Sequence, residues 1–193
     1  MSPWTALKAD TYRQYGFFTF GYLLKGAIKS RTFRVVVTMR LCQGVAASHG
    51  LLRIALPIFH FLHRISTHRA AMDLPWRMEI GGGLSLAHGW GLVVNSGVKI
   101  GNNVTLFHGV TLGRSDKISR EGARLSGYPV LEDEVFVGPH AIIVGGVTVG
   151  RGSRIAGGAF VTESIPPYSV VSGNPSAIVK SNCTPDVMNP APL

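Results

Sequence analysis

An aliphatic residue returns at every sixth position through the second half of the chain. Leu131, Val137, Ile143, Val149, Ile155 and Val161 form an unbroken series, and four residues after each stands a small or β-branched residue: Val135, Ala141, Val147, Ser153, Ala159 and Ile165. An earlier series, Val94, Ile100, Leu106 and Leu112, is followed likewise by Val98, Val104 and Val110, and Ile80 with Leu86 opens a third. Such a unit suits a short strand and a corner, with the aliphatic side chain pointing into a narrow prism and Gly or Asn turning the chain. Three units make one triangular coil. Stacked coils bury a continuous column of Ile, Val and Leu and pair each strand with those above and below, so the repeat predicts a parallel β-helix. These residues do not set its hand, since the general crossover rule favours the right.

Two interruptions break the period. From Leu86 to Val94 the step is eight, which places two extra residues around Ala87-His88-Gly89-Trp90-Gly91. From Leu112 to Leu131 it is nineteen, and the polar stretch Arg114 to Gly127 reads as an extruded loop spanning about 113–129. In repeat folds, interruptions of this kind are where function is carried.

The first 72 residues differ. They hold ten Lys and Arg against one acid, Asp10, whereas residues 73–193 hold nine of each sign, so the whole net charge of +9 sits in the first third. A boundary therefore falls near Asp73, with a tail from 181 to 193 after the repeat. Apolar residues with interspersed Lys, Arg and His over 17–39 and 51–65 predict helices. In the second, Leu51, Leu52, Ala55, Ile58, Phe59 and Leu62 form a stripe, with Pro57 a kink. The stripe either packs against the rest of the protein beneath a solvated cationic face, or rests as a basic amphipathic surface on anionic lipid or an anionic substrate. Nucleic acid ranks last, because no helix-turn-helix, finger or basic-aromatic motif accompanies the charge.

A chain of 193 residues, 46% hydrophobic and 15% charged, has the composition of one folded domain with an appendage rather than a disordered segment. Cys42 and Cys183 stand far apart, which supports neither a disulfide framework nor a cysteine zinc site and favours a reducing cytosol. Residues 1–10 lack a signal-peptide pattern, and no window holds the ~18 apolar residues of a membrane span. The expected location is cytoplasmic, with contact at the inner membrane face if the basic region binds lipid.

The segment Leu86 to Val94, with Val110-Thr111-Leu112-Gly113, Ile165-Pro166-Pro167 and Gly173-Asn174-Pro175, resembles the hexapeptide-repeat acyltransferases over about 73–180. The similar branch is that of serine acetyltransferases and the colanic-acid and capsular polysaccharide O-acetyltransferases. The resemblance implies a left-handed β-helix, a homotrimer, and acetyl-CoA bound between subunits. It also implies a catalytic pair, His88 with Asp73 fifteen residues before it: the imidazole takes a proton from an acceptor hydroxyl attacking the thioester, and the carboxylate fixes the tautomer. His108 is a second-choice base or cleft residue. For CoA the resemblance points to Gly113, Pro139, Gly157 and Gly158, with Arg154 as a cation for phosphate. His140 reads as a surface residue. The three-histidine zinc site of γ-class carbonic anhydrases has a different spacing, so no metal is expected.

The serine-specific branch places an Asp before the catalytic His and an Arg-His pair before the Pro that restarts the repeat; here those positions hold Ala87 and Gly127-Tyr128. Without charged partners for an amino acid, and with Trp90 and Tyr128 offering aromatic surface, the expected acceptor is a sugar hydroxyl of a surface polysaccharide or lipid-linked oligosaccharide. Serine is the alternative acceptor. A zinc hydratase and a non-catalytic trimeric scaffold are the alternatives outside the transferase class.

Overall fold

The computed structural model describes all 193 residues. Four helices come first: α1 (Pro3–Tyr15), α2 (Phe20–Lys29), α3 (Arg31–Ala47) and, after a 3₁₀ segment Gly50–Ala55, α4 (Leu56–Ala70). Side chains of Ser2, Thr19 and Ser30 cap the first three by accepting from the amides of Thr5, Tyr22 and Phe33. Pro57 lies in the first turn of α4, where its missing N–H costs nothing, and so starts that helix rather than kinking it.

The repeat then winds four coils. The first holds β1 (Glu79–Ile80), β2 (Ser85–Ala87) and β3 (Val93–Val94); the second β4 (Lys99–Ile100), β5 (Thr105–Phe107) and β6 (Thr111–Gly113). A hairpin of β7 (Ser115–Ile118) and β8 (Arg124–Gly127) leaves the stack at this point. The third coil holds β9 (Val130–Leu131), β10 (Phe136–Val137) and β11 (Ile142–Val144); the fourth β12 (Thr148–Val149), β13 (Arg154–Ile155) and β14 (Phe160–Val161). Beyond these lie β15 (Val170–Ser172) and β16 (Ala177–Lys180). The stacked strands form three sheets, the three faces of a prism. Face one is β1-β4-β9-β12, face two β2-β5-β10-β13-β15-β16, and face three β3-β6-β11-β14. All pairings within the stack are parallel except β15 with β16.

Every six-step aliphatic residue from Leu86 to Val161 is buried, as are the residues four positions later from Val98 to Ala159. The nineteen-residue gap leaves the register intact, because Leu131 still stacks over Ile100. The extruded loop is thus an ordered hairpin, pinned by Asp116, which pairs with Arg114 and Arg124 and accepts from the Ser126 hydroxyl.

The helices sit on the open end of the prism. Asp10 and Arg40, both buried, form an ion pair at 2.8 Å; the Asp10 carboxylate accepts from the Leu84 amide, and Arg40 donates to the Ile80 carbonyl. Arg13 donates to the Gly83 carbonyl and the Thr105 hydroxyl. Gly82 allows this approach: a Cβ there would lie 3.1 Å from that of Ala9.

The stripe over 51–62 does not pack inward as one of the two sequence readings had it. Leu51, Leu52, Ile54, Ile58 and Leu62 are exposed, and the residues that α4 buries are His63, Ser66 and Ala70. His63 explains the rotation. Its Nε2–H donates to the Leu74 carbonyl, so its Nδ1 accepts from the Thr38 hydroxyl, and this polar pair holds the helix by one flank of the stripe rather than by its centre. In α2 only Gly26 is buried, seated against Phe33 and Tyr15, while Phe20, Leu24 and Ile28 face out.

Candidate active site

The step of eight resolves into a specific insertion. Ala87 pairs with Phe107 and Val93 with Thr111, yet five residues (88–92) join the first pair of positions and three (108–110) the second. Corner hydrogen bonds fix which two are extra: the Gly109 amide donates to the Trp90 carbonyl, the His140 amide to that of His108, and the Gly158 amide to that of Pro139. Trp90, His108, Pro139 and Gly157 therefore stack in one column, and Gly91, Gly109, His140 and Gly158 in the next. His88 and Gly89 have no counterparts in the other coils. Both adopt left-handed backbone, with φ of 62° and 67°, and His88 is pushed out to solvent.

This edge joins faces two and three. It carries His88, Trp90, His108, Pro139, Gly157 and Gly158 of the residues expected at the site. The His88 and His108 ring centroids are 5.9 Å apart with the rings nearly perpendicular, and His108 meets His140 at 5.0 Å in the same manner. His108 Nδ1 is buried without a hydrogen-bond partner. At the top of the edge, Gly158 has φ of 71° and open space where a side chain would stand, which leaves backbone bare for a ligand.

The other expected residues lie elsewhere. Asp73 extends face three by one bridge below Val93, and no ion pair or hydrogen bond joins it to His88 in the single chain. Gly113 and Tyr128 belong to the opposite edge of face three, where the Tyr128 ring packs on Gly97: a Cβ on that glycine would sit 2.5 Å from the ring. Arg154 lies over the Phe136 ring and pairs with Asp186 at 2.6 Å. No group of three or more His, Cys, Asp or Glu side chains is placed to share a metal ion. Burial pushes the Cys42 thiol up to about 11, far from a nucleophilic thiolate.

Sequence reasoning missed Arg31. At the start of α3, its guanidinium lies 3.6 Å from the centre of the Trp90 ring and donates to the carbonyls of His88 and Ala70. It braces the insertion from outside the repeat. No sequence signal connects these residues, since 57 positions separate Arg31 from His88.

Residues 128–163 match the family described as bacterial transferase hexapeptide (six repeats). The chain is 35% identical over 128 residues to serine acetyltransferase of Bacillus subtilis (strain 168), an alignment covering 64% of this chain and 57% of that enzyme. It is 39% identical over 104 residues to serine acetyltransferase of Bacillus licheniformis, covering 54% and 46%. The chain thus spans less than two thirds of the length of these relatives. Among solved structures, serine acetyltransferase of Neisseria gonorrhoeae aligns with a TM-score of 0.73 at 25% identity over 93% of this chain and 67% of that one. Serine acetyltransferase of Brucella abortus in complex with coenzyme A gives 0.73 at 27%, over 94% and 70%. The left-handed β-helix implied by the resemblance is the fold of these neighbours.

These likenesses overturn the expected sugar acceptor, and with it the polysaccharide branch. The geometry removes the physical ground of that expectation too. Within one chain Tyr128 is committed to Gly97 at a different edge from His88, and Trp90 is stacked by Arg31, so the two rings form no common platform for a sugar there. The loss of charge at Ala87 and Gly127 is real, but Arg31 brings a cation to the same edge from the helical region.

Proposed function

We propose that the protein is an acetyl-CoA-dependent O-acetyltransferase whose acceptor is the hydroxyl of serine. The observation that carries this reading is the two-residue insertion, which lifts His88 off a regular corner onto an edge that also carries His108 and ends at the top in the bare corner Gly157-Gly158. Acetyl-CoA supplies the activated acyl carbon. His88 accepts the proton of the serine hydroxyl as its oxygen bonds to that carbon, and returns it to the sulfur as the carbon–sulfur bond breaks; no covalent enzyme intermediate is formed. Arg31, with guanidinium N–H groups beyond the two carbonyl contacts, is suited to the serine carboxylate. His108 lines the same edge. Pro139, Gly157 and Gly158 supply backbone for the CoA arm, Gly113 and Arg154 its outer reaches, and Asp73 orients His88 once the complex closes.

The working form is a homotrimer in the cytoplasm. Val93 and Ile142 leave an apolar strip on face three beside the His88 edge, which suits a subunit contact that would complete the cleft.

The test is CoA release at saturating acetyl-CoA with and without serine, with mass analysis of the product. Serine-dependent release with O-acetylserine formed is expected. Release no faster than the acceptor-free control, with no added acetyl group, overturns the reading.

A further inference from the structure

The face that the 3₁₀ segment and α4 turn outward is large, apolar and without a partner in the chain. Leu51 is 84% exposed, Ile54 72%, Ile58 64% and Phe61 63%, on a segment whose inward side is already filled by His63, Ser66 and Ala70. Single exposed leucines are ordinary, but a run of large side chains on one segment is not. The cations alongside, Arg53, Arg64 and Arg69, are exposed. The one acid of residues 1–72, Asp10, is fully buried against Arg40, so the helical region shows solvent no negative side chain of its own. Asp73, just past α4, makes no ion pair with these arginines.

We propose that this face docks the protein on an anionic lipid bilayer, lying in the headgroup region rather than crossing it. Two things favour lipid over a second copy. An isologous contact would bring three arginines against the same three, with Asp73 beside Arg64 and Arg69 the one acid near them, and like charges oppose such a contact. An anionic surface answers both features at once: acyl chains take the leucine, isoleucine and phenylalanine side chains to a depth of about 5–10 Å, and headgroups meet the arginines. No helix of the protein is long and apolar enough to span the membrane, which leaves surface attachment as the available geometry. The proposal stands apart from the acetyl-transfer reading, and its readout is not activity.

The experiment is flotation of the full chain with vesicles of phosphatidylcholine alone and of phosphatidylcholine mixed with phosphatidylglycerol, at low and high salt. Binding to the mixed vesicles, weakened by salt, is expected. Ile58→Ser/Phe61→Ser removes two side chains that already stand in solvent, so the fold is kept, checked by circular dichroism, while flotation is lost. Arg53→Gln/Arg64→Gln lowers partition about thirtyfold, the factor for two cations near an anionic surface. Equal flotation with both vesicle types, or none with either, overturns the proposal. So does a serine-substituted variant that leaves flotation intact but sediments as a smaller assembly than the parent, which would assign the face to a second copy.

Discussion

Left-handed backbone costs a residue other than glycine roughly 1–2 kcal/mol, and the active edge holds two such histidines. His140 has φ of 58° at a corner where Gly91, Gly109 and Gly158, in stacked coils, all carry φ between 66° and 71°. His140→Ala keeps the strain and loses the ring on His108, whereas His140→Gly loses the ring and relieves the strain. Thermal unfolding should therefore place the Gly variant above the Ala variant by about 1 kcal/mol. At His88 the strain is the same for His and Ala, so His88→Ala reports chemistry: kcat should fall about 10²–10⁴-fold with CoA binding retained, and His108→Ala should fall less. Unchanged turnover in His88→Ala with loss in His108→Ala would move the base one coil up. His88 was legible in the sequence because an insertion into a strict period is visible as a number. Arg31 was not, because its partners come together only when α3 meets the edge of the first coil. Asp73 matched in spacing, yet its distance from His88 depends on how the chain leaves α4, which no spacing encodes.

Helix α4 shows what periodicity leaves open. Its apolar stripe was readable from Leu51 to Leu62, but a stripe says which side chains share a face, not whether that face meets protein or solvent. A buried histidine decided it. Desolvation holds the His63 imidazole below its ordinary pKa of 6.5, the hydrogen bond to Leu74 opposing only in part. A histidine whose folded pKa is lowered binds its proton more readily when unfolded. Its stabilising contribution is thus present above about pH 6.5 and is lost as pH falls below it. Melting curves should show the midpoint dropping on acidification through this range, and His63→Gln should start from a lower midpoint with a flatter slope. A parent midpoint that does not move between neutral pH and about pH 5.5 would mean that His63 is not held neutral. The extruded loop teaches a related lesson: its polarity was plain, but its folding into β7 and β8 depends on Asp116 gathering Arg114, Arg124 and Ser126 across a turn.

At the scale of the molecule, the change in charge near Asp73 marks a change of architecture rather than a division into independent parts. The two regions are locked by the Asp10–Arg40 pair through its bonds to the Leu84 amide and the Ile80 carbonyl, and by Arg13 on Gly83 and Thr105. Removing one member of a buried ion pair strands the other, at about 3–5 kcal/mol. Asp10→Ala should accordingly lower the unfolding free energy of the whole chain by that order, read as one transition. A separate early melting of the helices would show that the lock is weaker than its burial implies. The proposed trimer should sediment as one species near three times 20.7 kDa, and a fully active monomer would sink it.

A stack of parallel strands has no natural end, since its last coil offers the same unpaired amides and carbonyls that its first does. Here the two ends are finished differently. The helices cover one, with Gly82 pressed under Ala6 and Ala9, and β16 crosses the other against the chain direction of β15, with a register shift at Val170. An antiparallel, irregular final strand cannot template another parallel coil, and a helical lid cannot accept one. Face two, the longest of the three, is therefore closed to end-on growth at both ends. Loss of Ala177–Lys180 would expose β15 as a growth point, so a truncation at Pro175 should convert a discrete particle into concentration-dependent fibrils visible by light scattering.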